Sequence, residues 1–307
     1  MYHFIINPHS RTGKARILWA QLKEELNHRN IEYKEYFTER SSHAVAIARQ
    51  ICEEFEGIKT IVIVGGDGTA NEVINGIDSY KDVILGYIPT GSSNDLARGL
   101  QLPKDPRKAL DHILNPRHFK MVDHGIITYT QSGLSHKFAV SCGVGYDAAV
   151  CKEALRSRTK ELLNKIGLGK LTYLIIGIKQ IFTNKPTDTE LIIDGSKSLV
   201  VKNVIFVASM IHKYEGGGLL MAPSAKANDR KLTVCVVANI PKLKILFVMP
   251  TIFFGKHILI KGVQLFDCDT IEIKTKEPSA VHTDGEFGGY HRHVKLSCTK
   301  EQIRMII

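Results

Sequence analysis

Short apolar runs alternate with segments of helical periodicity along residues 1–125, and this alternation restricts the fold more than any other feature. The run at residues 60–64 is almost entirely β-branched and stops at Gly65 and Gly66. Such a run predicts a strand that is buried on both faces of a parallel sheet. Further strands are predicted over residues 2–6, 32–38 and 83–88, and helices over residues 15–29, 41–54, 70–77 and 94–100, with Ser41 and Ser42 offering the cap of the second helix. This order predicts a doubly wound α/β domain with its site in the loops after the strands.

The pattern changes from about Ile126. Short strand-like runs follow at residues 138–141, 189–193, 200–209, 232–238, 270–274 and 293–297, with helical patches at 155–182 and 242–257. Their density predicts a mainly antiparallel β domain with helices. We therefore expect an N-terminal doubly wound parallel-sheet domain over residues 1–125 and a β-rich domain over residues 126–297. Residues from about 298 to 307 are candidates to return to the first domain.

The composition is that of a folded protein with a basic surface. Of the 307 residues, 44% are apolar and 23% are charged, which excludes a disordered chain. The net charge of +10 favours an anionic partner, such as nucleic acid, an acidic membrane or a phosphorylated substrate, although a merely solvated basic surface would look the same. None of the six cysteines forms a CxxC pair, and no basic segment precedes the apolar start, so we expect reduced thiols and a cytoplasmic location. The longest uncharged apolar stretch, residues 245–255, is far short of the ~20 residues that cross a bilayer.

The sequence Gly-Gly-Asp-Gly-Thr at residues 65–69 lies where the buried strand passes into a helix. Glycines there allow positive φ and let backbone N–H groups approach phosphate oxygens, and the helix adds its N-terminal dipole. Thr69 supplies a hydroxyl, and Asp67 can orient a lysine, a water or a metal. The turn is not a Walker A loop, since no Gly-Lys-Ser/Thr follows, and it lacks the Gly-x-Gly-x-x-Gly spacing. Taken alone, it also fits a tight βα junction that needs glycine for steric reasons.

A second polar turn follows the next predicted strand, at residues 89–98. Its serine, asparagine and aspartate side chains could cap a helix in the ordinary way. Two such turns at consecutive strand ends of one half-domain instead favour a shared phosphate site.

Three segments together resemble the diacylglycerol kinase family, and more closely its soluble bacterial lipid kinases, relatives of the sphingosine kinases. They are Asn-Pro-His-Ser at residues 7–10, the glycine turn with its helix start at 65–73, and Gly-Ser-Ser-Asn-Asp at 91–95; residues 216–218, 222–223 and 284–286 extend the resemblance over nearly the whole chain. The resemblance implies an ATP-dependent kinase that phosphorylates a lipid alcohol, most simply diacylglycerol to phosphatidic acid. Arg11 stands where the family has a glycine, which leaves the path of the first loop open. The residues implied in nucleotide binding are Asn7, Ser10, Thr38, Gly65, Gly66, Asp67, Gly68, Thr69, Asn71, Glu72, Ser92 and Glu286.

Two carboxylates lie beside a glycine near the C-terminus, in Asp-Gly-Glu at residues 284–286. By itself, Asp-Gly favours a two-residue hairpin turn. Attack by a hydroxyl on a phosphoryl group also needs a residue that accepts the proton. The family resemblance implies that Asp284 is this general base. His282 is adjacent and, like any histidine, could titrate near neutrality, but a bystander histidine is the simpler interpretation. The resemblance adds a supporting polar network of Asp95 and Asp123.

Phosphoryl transfer from ATP calls for Mg²⁺. We expect the phosphates and water to hold most positions around the catalytic ion, with Asp67 as a candidate partner. A second, structural Mg²⁺ occurs in some family members, and the resemblance implies that it lies at Asp229 with the carbonyls of Lys226 and Lys231. Arg230 here replaces the family's glycine.

Residues 242–261 form an apolar segment with lysines at both ends and no acidic residue. Such a segment fits either a membrane interface or a core helix with solvated lysines. Because similar kinases take water-insoluble acceptors, we expect reversible contact with an anionic membrane. A homodimer is left open.

Two other functions are left open. The acceptor could be soluble, because NAD kinases and phosphofructokinases resemble the same glycine turn, although residues 91–95 and 284–286 favour the lipid kinases. The chain could also be a nucleotide-sensing or lipid-binding module without turnover. Nucleic-acid binding explains the charge but none of the motifs, so no nucleic-acid partner is expected.

Overall fold

This computed structural model of the chain describes residues 1–10, 13–156 and 169–307. Arg11, where the first loop departs from the family pattern, and residues 157–168 of the predicted helical patch lie outside them. Two sheets form the frame of the molecule. The chain leaves the first sheet after residue 122 and returns to it with its last strand, at residues 303–306.

The first sheet has six strands, and most of their pairings are parallel. They are β1 (Tyr2–Ile6), β2 (Tyr33–Phe37), β3 (Lys59–Gly65), β4 (Val83–Pro89), β5 (Phe119–Val122) and β15 (Ile303–Ile306). Their order is β2-β1-β3-β4-β15-β5, with β5 antiparallel to β15.

Helices cover both faces of this sheet: α1 (Lys14–His28), α2 (His43–Glu54), α3 (Asp67–Gly76), the short α4 (Asp95–Gly99) and α5 (Pro106–Leu114). The side chains of Ile61 and Ile63 in β3 pack on the side of α2 and α3, whereas Val62 and Val64 pack on the side of α1 and α5. All four are fully buried, as the β-branched run predicts. The prediction of a doubly wound parallel sheet is confirmed.

The cap predicted for α2 is wrong. Ser42 has φ 63°, and its side chain makes no capping hydrogen bond. Glu72 of α3 caps the helix instead, because its two carboxylate oxygens accept the N–H groups of Ser42 at 2.9 Å and Ala44 at 3.1 Å. A cap supplied by another helix leaves no trace in the local sequence.

The second sheet has nine strands that pair antiparallel, as predicted. They are β6 (Gly125–Tyr129), β7 (Ser135–Phe138), β8 (Ser141–Gly145), β9 (Thr187–Ile193), β10 (Lys197–Met210), β11 (Leu232–Ala238), β12 (Val263–Cys268), β13 (Thr270–Thr283) and β14 (Glu286–Cys298). The order is β12-β11-β10-β8-β13-β14-β6-β7, and β9 pairs with β10 and β13. Several predicted runs are parts of longer strands, since β10 and β13 each have 14 residues.

The single strand predicted over residues 138–141 is wrong. β7 ends at Phe138 and β8 begins at Ser141, and the two residues between them belong to neither strand. Their backbone N–H groups point at the side chain of Asp284 and not at a neighbouring strand. This break in the sheet forms part of the site described below.

Among the described residues, the second domain also contains α6 (Tyr146–Arg156), α7 (Gly169–Thr183), α8 (Lys242–Ile252) and a short 3-10 helix at Lys256–Leu259. In the described part of the chain, no helix combines the length and the apolar character that spanning a membrane requires. The largest group of buried apolar side chains has members from both sheets, among them Tyr87, Val144 and Val281. The two sheets therefore share one core, which fixes the loops between them.

Candidate active site

Polar side chains gather at the carboxyl ends of the parallel strands. The amide of Asn7, after β1, donates to Thr69 Oγ1 at 3.1 Å. The hydroxyl of Ser10 lies 2.6 Å from the hydroxyl of Thr90, after β4. Thr38 is buried after β2. Four consecutive predicted strand ends are thus brought to one edge of the sheet, as expected of a doubly wound fold.

The two glycine turns touch each other through their backbones. A Cβ on Gly66 would lie 3.0 Å from the Cα of Gly91, and a Cβ on Gly91 would lie 2.5 Å from the Cα of Gly66. Asn94 locks the second turn, because its side chain accepts the N–H of Gly91 and donates to the Gly91 carbonyl, each at 2.9 Å. Glycine is required at both positions, since a side chain would separate the turns.

Gly68 faces open space, unlike its neighbours. A Cβ there would meet only Glu286 Oε1, at 3.6 Å. Glu286 and Ser92 are exposed at this rim. Backbone N–H groups in the first turn of α3 have no partner within the helix, and the helix dipole favours negative charge there. The arrangement fits the phosphates of a nucleotide.

Asp67 organises the second turn from within the first. Its carboxylate accepts the N–H groups of Asp95 at 3.0 Å and of Leu96 at 3.1 Å, and so caps α4. Burial, followed by the negative charge of Asp95, raises the pKa of Asp67 to about 6. Sequence reasoning identified Asp67 as a candidate for orienting a metal or a lysine but missed this capping role.

Asp95 joins the two domains. It is buried, forms an ion pair with Arg98, and accepts the N–H of Gly217 at 2.7 Å. Burial raises the pKa of Asp95. Gly217 has φ 84°, a conformation that glycine adopts without steric cost. It belongs to the glycine segment at residues 216–218, which precedes β11.

Asp284 lies at the tip of the hairpin between β13 and β14. Thr283 pairs with Glu286, and the two residues between them, Asp284 and Gly285, have φ 49° and 87°. Positive φ at both positions is the signature of a type I′ turn. Asp284 and Gly285 therefore form the hairpin turn that Asp-Gly predicts, and the same turn carries the carboxylate of the candidate site.

Four N–H groups surround the Asp284 carboxylate. Oδ2 accepts from Ala139 N and from the amide of Asn71, each at 2.7 Å, and Oδ1 accepts from Val140 N at 2.8 Å and Ser141 N at 2.9 Å. Burial raises the pKa of Asp284, and these hydrogen bonds oppose that rise. Two of the three backbone donors lie in the break between β7 and β8, and the third, Ser141, is the first residue of β8; sequence reasoning took this segment for one strand.

Asn71 connects this carboxylate to the nucleotide turn. It is buried in α3, and its amide also donates to the Lys137 carbonyl at 2.9 Å. Its oxygen accepts from Asn75 Nδ2 and lies 3.1 Å from His136 Nε2. One side chain from the first domain thus reaches the hairpin tip of the second.

A second polar cluster lies directly behind the hairpin tip. Nε2 of His282 is 3.0 Å from Glu215 Oε1 and 3.3 Å from Asp147 Oδ2, and the N–H of Gly285 donates to its Nδ1 at 3.2 Å. Burial opposes protonation of the His282 ring, and nearby negative charge, including that of both carboxylates, raises its pKa, whereas the Gly285 N–H that points at Nδ1 favours the neutral ring. Burial also raises the pKa of Asp147.

These three side chains are close enough to hold a metal ion. The Gly285 contact argues against that use, because it needs a lone pair on Nδ1 and so leaves the ring proton on Nε2, where a metal would bind. A metal-bound histidine normally donates its second N–H, whereas this one accepts. The cluster therefore fits a hydrogen-bonded group better than a metal site.

Comparison with known proteins identifies the family. Residues 1–125 match the diacylglycerol kinase catalytic domain, and residues 140–306 match the YegS C-terminal NAD kinase beta sandwich-like domain. YtlR of Bacillus subtilis, a proposed lipid kinase, is 30% identical over 294 residues, which cover 94% of this chain and 94% of the relative. The chain belongs to the diacylglycerol kinase family. A diacylglycerol kinase of Mycobacterium tuberculosis is 27% identical over 289 residues, covering 92% of this chain and 87% of that protein.

Solved structures share the fold of this kinase. A proposed diacylglycerol kinase from Bacillus anthracis superimposes with a TM-score of 0.77 at 21% identity, covering 99% of this chain and 94% of that one. An NAD kinase from Archaeoglobus fulgidus in complex with ATP superimposes with a TM-score of 0.53 at 12% identity, covering 100% of this chain and 94% of that one. The protein is an ATP-dependent kinase, a phosphotransferase, as the motifs predict.

The residues predicted for a structural metal lie in one exposed segment before β11: Lys226, Asp229 and Lys231. The N–H of Lys231 donates to Asp229 Oδ1 at 3.1 Å. Arg230 has φ 60°, where the family has glycine, and its N–H donates to Asp123 Oδ2 at 2.7 Å. Asp123 also accepts from Gln302 Nε2 at 2.7 Å, so its hydrogen-bond partners differ from those of Asp95.

Some site residues escaped the sequence analysis altogether. Asp147, Glu215 and the donors at residues 139–141 carry no motif, and they reach the hairpin tip only because β8, β10 and β13 are neighbours in the sheet. The glycine segment at residues 216–218 was noticed as part of the resemblance, without its contact to Asp95. Only the register of the sheet could have revealed these partners.

Proposed function

We propose that this kinase transfers the γ-phosphate of ATP to the hydroxyl of a lipid alcohol, with diacylglycerol, which becomes phosphatidic acid, as the favoured acceptor. The observation that carries the proposal is the hydrogen bond between Asn71 and Asp284. Asn71 lies four residues after Asp67, so about 6 Å of helix α3 separates the nucleotide turn from a carboxylate of the second domain. An attacking hydroxyl held beside Asp284 would face a phosphate held at that turn.

The nucleotide half of the reaction falls to the first domain. Within residues 66–71, the N–H groups that α3 leaves unpaired at its start are proposed to bind the phosphates, with Asn7, Ser10, Thr38, Gly65, Ser92, Glu72 and Glu286 around them. Glu72 would act indirectly, since both its oxygens cap α2.

Mg²⁺ prefers oxygen ligands and would offset the phosphate charge. Each Asp67 oxygen accepts one N–H and keeps a second lone pair, so Asp67 stays the candidate protein ligand. Asp229, with the carbonyls of Lys226 and Lys231, stays the proposed structural site.

Asp284 is proposed to accept the proton of the acceptor hydroxyl. Its two oxygens offer about four lone-pair positions, and four N–H groups occupy them. The hydroxyl would take the place of Asn71, whose amide keeps its bond to Lys137. As the hydroxyl oxygen bonds to the γ-phosphorus, the bond from phosphorus to the bridging oxygen breaks, ADP leaves, and the proton passes to Oδ2.

A large cavity supports a long-chain acceptor. It encloses about 590 Å³ between α6, α7 and the second sheet, and its apolar walls include Val144, Val207 and Ala280. Ala280 precedes Asp284 by four residues on β13 and the turn, a separation of roughly 13 Å in extended chain. A lipid tail in the cavity would leave its hydroxyl end near the hairpin tip.

An exposed apolar patch supports contact with a membrane. It consists of five side chains of α8 and the segment that follows, each 59–82% exposed: Leu243, Phe247, Phe253, Phe254 and Leu259. Lysines 242, 244, 256 and 261 flank this apolar patch, and residues 242–261 contain no acidic residue. Apolar side chains beside lysines favour the surface of an anionic membrane. The side chain of Lys242 donates to the Phe182 carbonyl at 2.8 Å, so the start of α8 adjoins the end of α7, which lines the cavity.

A transfer assay tests the proposal. The protein is incubated with labelled Mg²⁺–ATP and mixed micelles of lipid alcohols, and in parallel with NAD and with sugar phosphates. We expect label in the lipid fraction and loss of about 10²- to 10⁴-fold in kcat for Asp284→Asn, because an amide cannot accept the proton. ATP affinity should stay nearly unchanged. Asp269→Asn, an exposed aspartate at the β12–β13 turn, is the matched control.

Each alternative function has its own outcome in this assay. Label in NAD alone would exclude the lipid acceptor in favour of an NAD-kinase-like activity. ATP binding without transfer to any acceptor would favour a non-catalytic module. Normal turnover by Asp284→Asn would contradict the assignment of the base while leaving the lipid acceptor intact.

A further inference from the structure

His282 lies fully buried in β13, two residues before Asp284, and both nitrogens of its ring have partners. Nδ1 accepts the N–H of Gly285 at 3.2 Å. On the opposite side, Nε2 lies 3.0 Å from Glu215 Oε1 and 3.3 Å from Asp147 Oδ2. The ring therefore joins the turn that carries Asp284 to two acidic side chains from other elements.

The ring sits in a slot that permits little movement. Gly143 pairs with His282 across β8 and β13, and a Cβ on this glycine would overlap both the ring and Asp147. Glu215 Oε1 is itself held by the hydroxyl of Ser141 at 2.9 Å. The N–H of Ser141 also donates to Asp284, so one short segment contacts both the carboxylate and the group behind it.

The tautomer of the ring follows from these contacts. Nδ1 must carry a lone pair in order to accept the Gly285 N–H, so the proton of the neutral ring is on Nε2. An Nε2–H donor suits two carboxylate acceptors. Each nitrogen therefore has a separate role: Nδ1 holds the turn, and Nε2 anchors the ring.

The turn needs such a restraint. Asp284 has φ 49°, which an Asp-Gly turn favours, but the turn type alone does not fix the direction of the Asp284 side chain. Its carboxylate reaches four donors only while the turn keeps this conformation. A reacting group that shifts by about 1 Å can lose on the order of 10²-fold in rate.

We propose that His282 is a positioning residue, which holds the Asp284 turn in its reactive geometry through Nδ1 while Glu215 and Asp147 anchor the ring through Nε2. The inference rests on the proposed function, because it takes Asp284 as the group that accepts the proton. The proposal gives a role to Asp147, Glu215 and His282, which neither the ATP site nor the proposed lipid site uses.

Two variants separate the two sides of the ring. His282→Asn keeps an acceptor oxygen near the position of Nδ1 and loses the contacts at Nε2, whereas His282→Gln places its amide near Nε2 and loses the acceptor beside Gly285. We expect His282→Gln to lower kcat by about 10- to 100-fold with the KM for ATP changed less than about twofold. His282→Asn should lose less kcat than His282→Gln, because it keeps an acceptor beside the Gly285 N–H although it loses the anchor at Nε2. Equal losses in the two variants, or no loss in His282→Gln, would overturn the proposal.

A spectroscopic measurement decides the proposal even where a variant does not fold. Two-bond ¹H–¹⁵N correlations of the wild-type protein with ¹⁵N-labelled histidine should show His282 as a neutral ring with its proton on Nε2, and adding Mg²⁺ or Zn²⁺ should leave its nitrogen shifts unchanged. A proton on Nδ1, or a metal-induced shift at Nε2, would overturn the proposal. Neither result depends on lipid turnover. Normal turnover by Asp284→Asn would contradict the assignment of Asp284 as the general base, whereas the measurement of the His282 tautomer would still be valid.

Discussion

The three glycines of the nucleotide turn owe their identity to different neighbours. Gly65 lies against Thr69, whose Cβ would be 2.6 Å from an added Cβ, and Gly66 lies against the backbone of Gly91. Gly68 has no such neighbour, since only Glu286 comes within 3.6 Å. The steric interpretation of the motif therefore holds for the first two glycines. The open space beside Gly68 leaves room for a phosphate to approach the backbone.

Substitution of two glycines by alanine should separate packing from binding. Gly91→Ala drives a methyl group into Gly66, and overpacking of this kind costs about 1–3 kcal/mol of unfolding free energy. Gly68→Ala lies in the first turn of α3, where alanine favours the helix by up to about 1 kcal/mol. We expect Gly91→Ala to lower both the melting temperature and ATP affinity. Gly68→Ala should lower ATP affinity alone, because its methyl group occupies the phosphate side.

Calorimetric titration with ATP and thermal unfolding of the same samples check this prediction. If Gly68→Ala binds ATP with the same affinity as the wild type, the phosphates do not bind at this turn. A Gly91→Ala protein of unchanged stability would contradict the contact between the two turns.

Sequence reasoning found Asp284 but could not find its partners. Asp-Gly before a strand is a local signal, and it predicts a hairpin turn whatever else the turn does. The donors at residues 139–141 are more than 140 positions away in sequence, and nothing local distinguishes them from strand residues. Predicting them would have required the pairing of β8 with β13, which places the hairpin tip beside the break.

At the scale of elements, prediction succeeded where burial is uniform. The β-branched run of β3 is buried on both faces, so its composition alone predicts a central parallel strand. β10 was predicted only in part, because its first residues are partly exposed while its last seven are buried. The cap of α2 was missed because a carboxylate of α3 replaces the local serine. Partners that come from other elements leave no periodic signal.

The apolar patch gives a prediction for α8. Phe247 is 79% exposed, and inserting a phenylalanine into an apolar phase is worth about 1.5–3 kcal/mol. Phe247→Asp should therefore weaken binding to vesicles of phosphatidylcholine with phosphatidylglycerol by at least about tenfold. Leu134→Asp is the matched control, because this leucine is 69% exposed on the β6–β7 hairpin and the charge change is the same.

Vesicle cosedimentation at low and moderate salt measures the effect. We expect Lys242→Gln with Lys244→Gln to weaken binding mainly at low salt, since charge attraction is screened by ions. Equal losses for Phe247→Asp and Leu134→Asp would mean that added charge, and not the apolar patch, decides the binding.

At the scale of the whole molecule, the two domains are held together by side chains that cross between the sheets. Asn71 reaches Asp284, and Asp95 reaches Gly217. His124 lies on the link between β5 and β6, with its ring against Tyr80 and its Nδ1 3.1 Å from Thr299 Oγ1. Closely packed domains were expected from the lack of a linker in the sequence, but the individual bridges depend on tertiary contacts.

Two buried histidines at these junctions should make the protein sensitive to acid. Burial, reinforced by Lys120 for His212 and by Lys137 for His124, lowers the pKa of His212 to about 3 and that of His124 to about 4. A histidine in the unfolded chain titrates near 6.5, so the unfolded state binds the protons first as the pH falls. The stabilisation is complete above pH 6.5 and is lost below it, at about 1.4 kcal/mol per pH unit for each histidine.

Urea unfolding between pH 7.5 and 5 measures this loss. The two histidines together should remove roughly 4 kcal/mol of unfolding free energy by pH 5. His212 packs against Gly99 of α4, and its Nε2 has no hydrogen-bond partner among the described residues, so His212→Asn removes one titrating group without removing a hydrogen bond at that atom. His212→Asn should lower the slope of stability against pH by about 1.4 kcal/mol per pH unit relative to the wild type, and His28→Asn, at an exposed position in α1, is the matched control. Equal slopes in wild type and His212→Asn would mean that the junction stays intact with a charged His212.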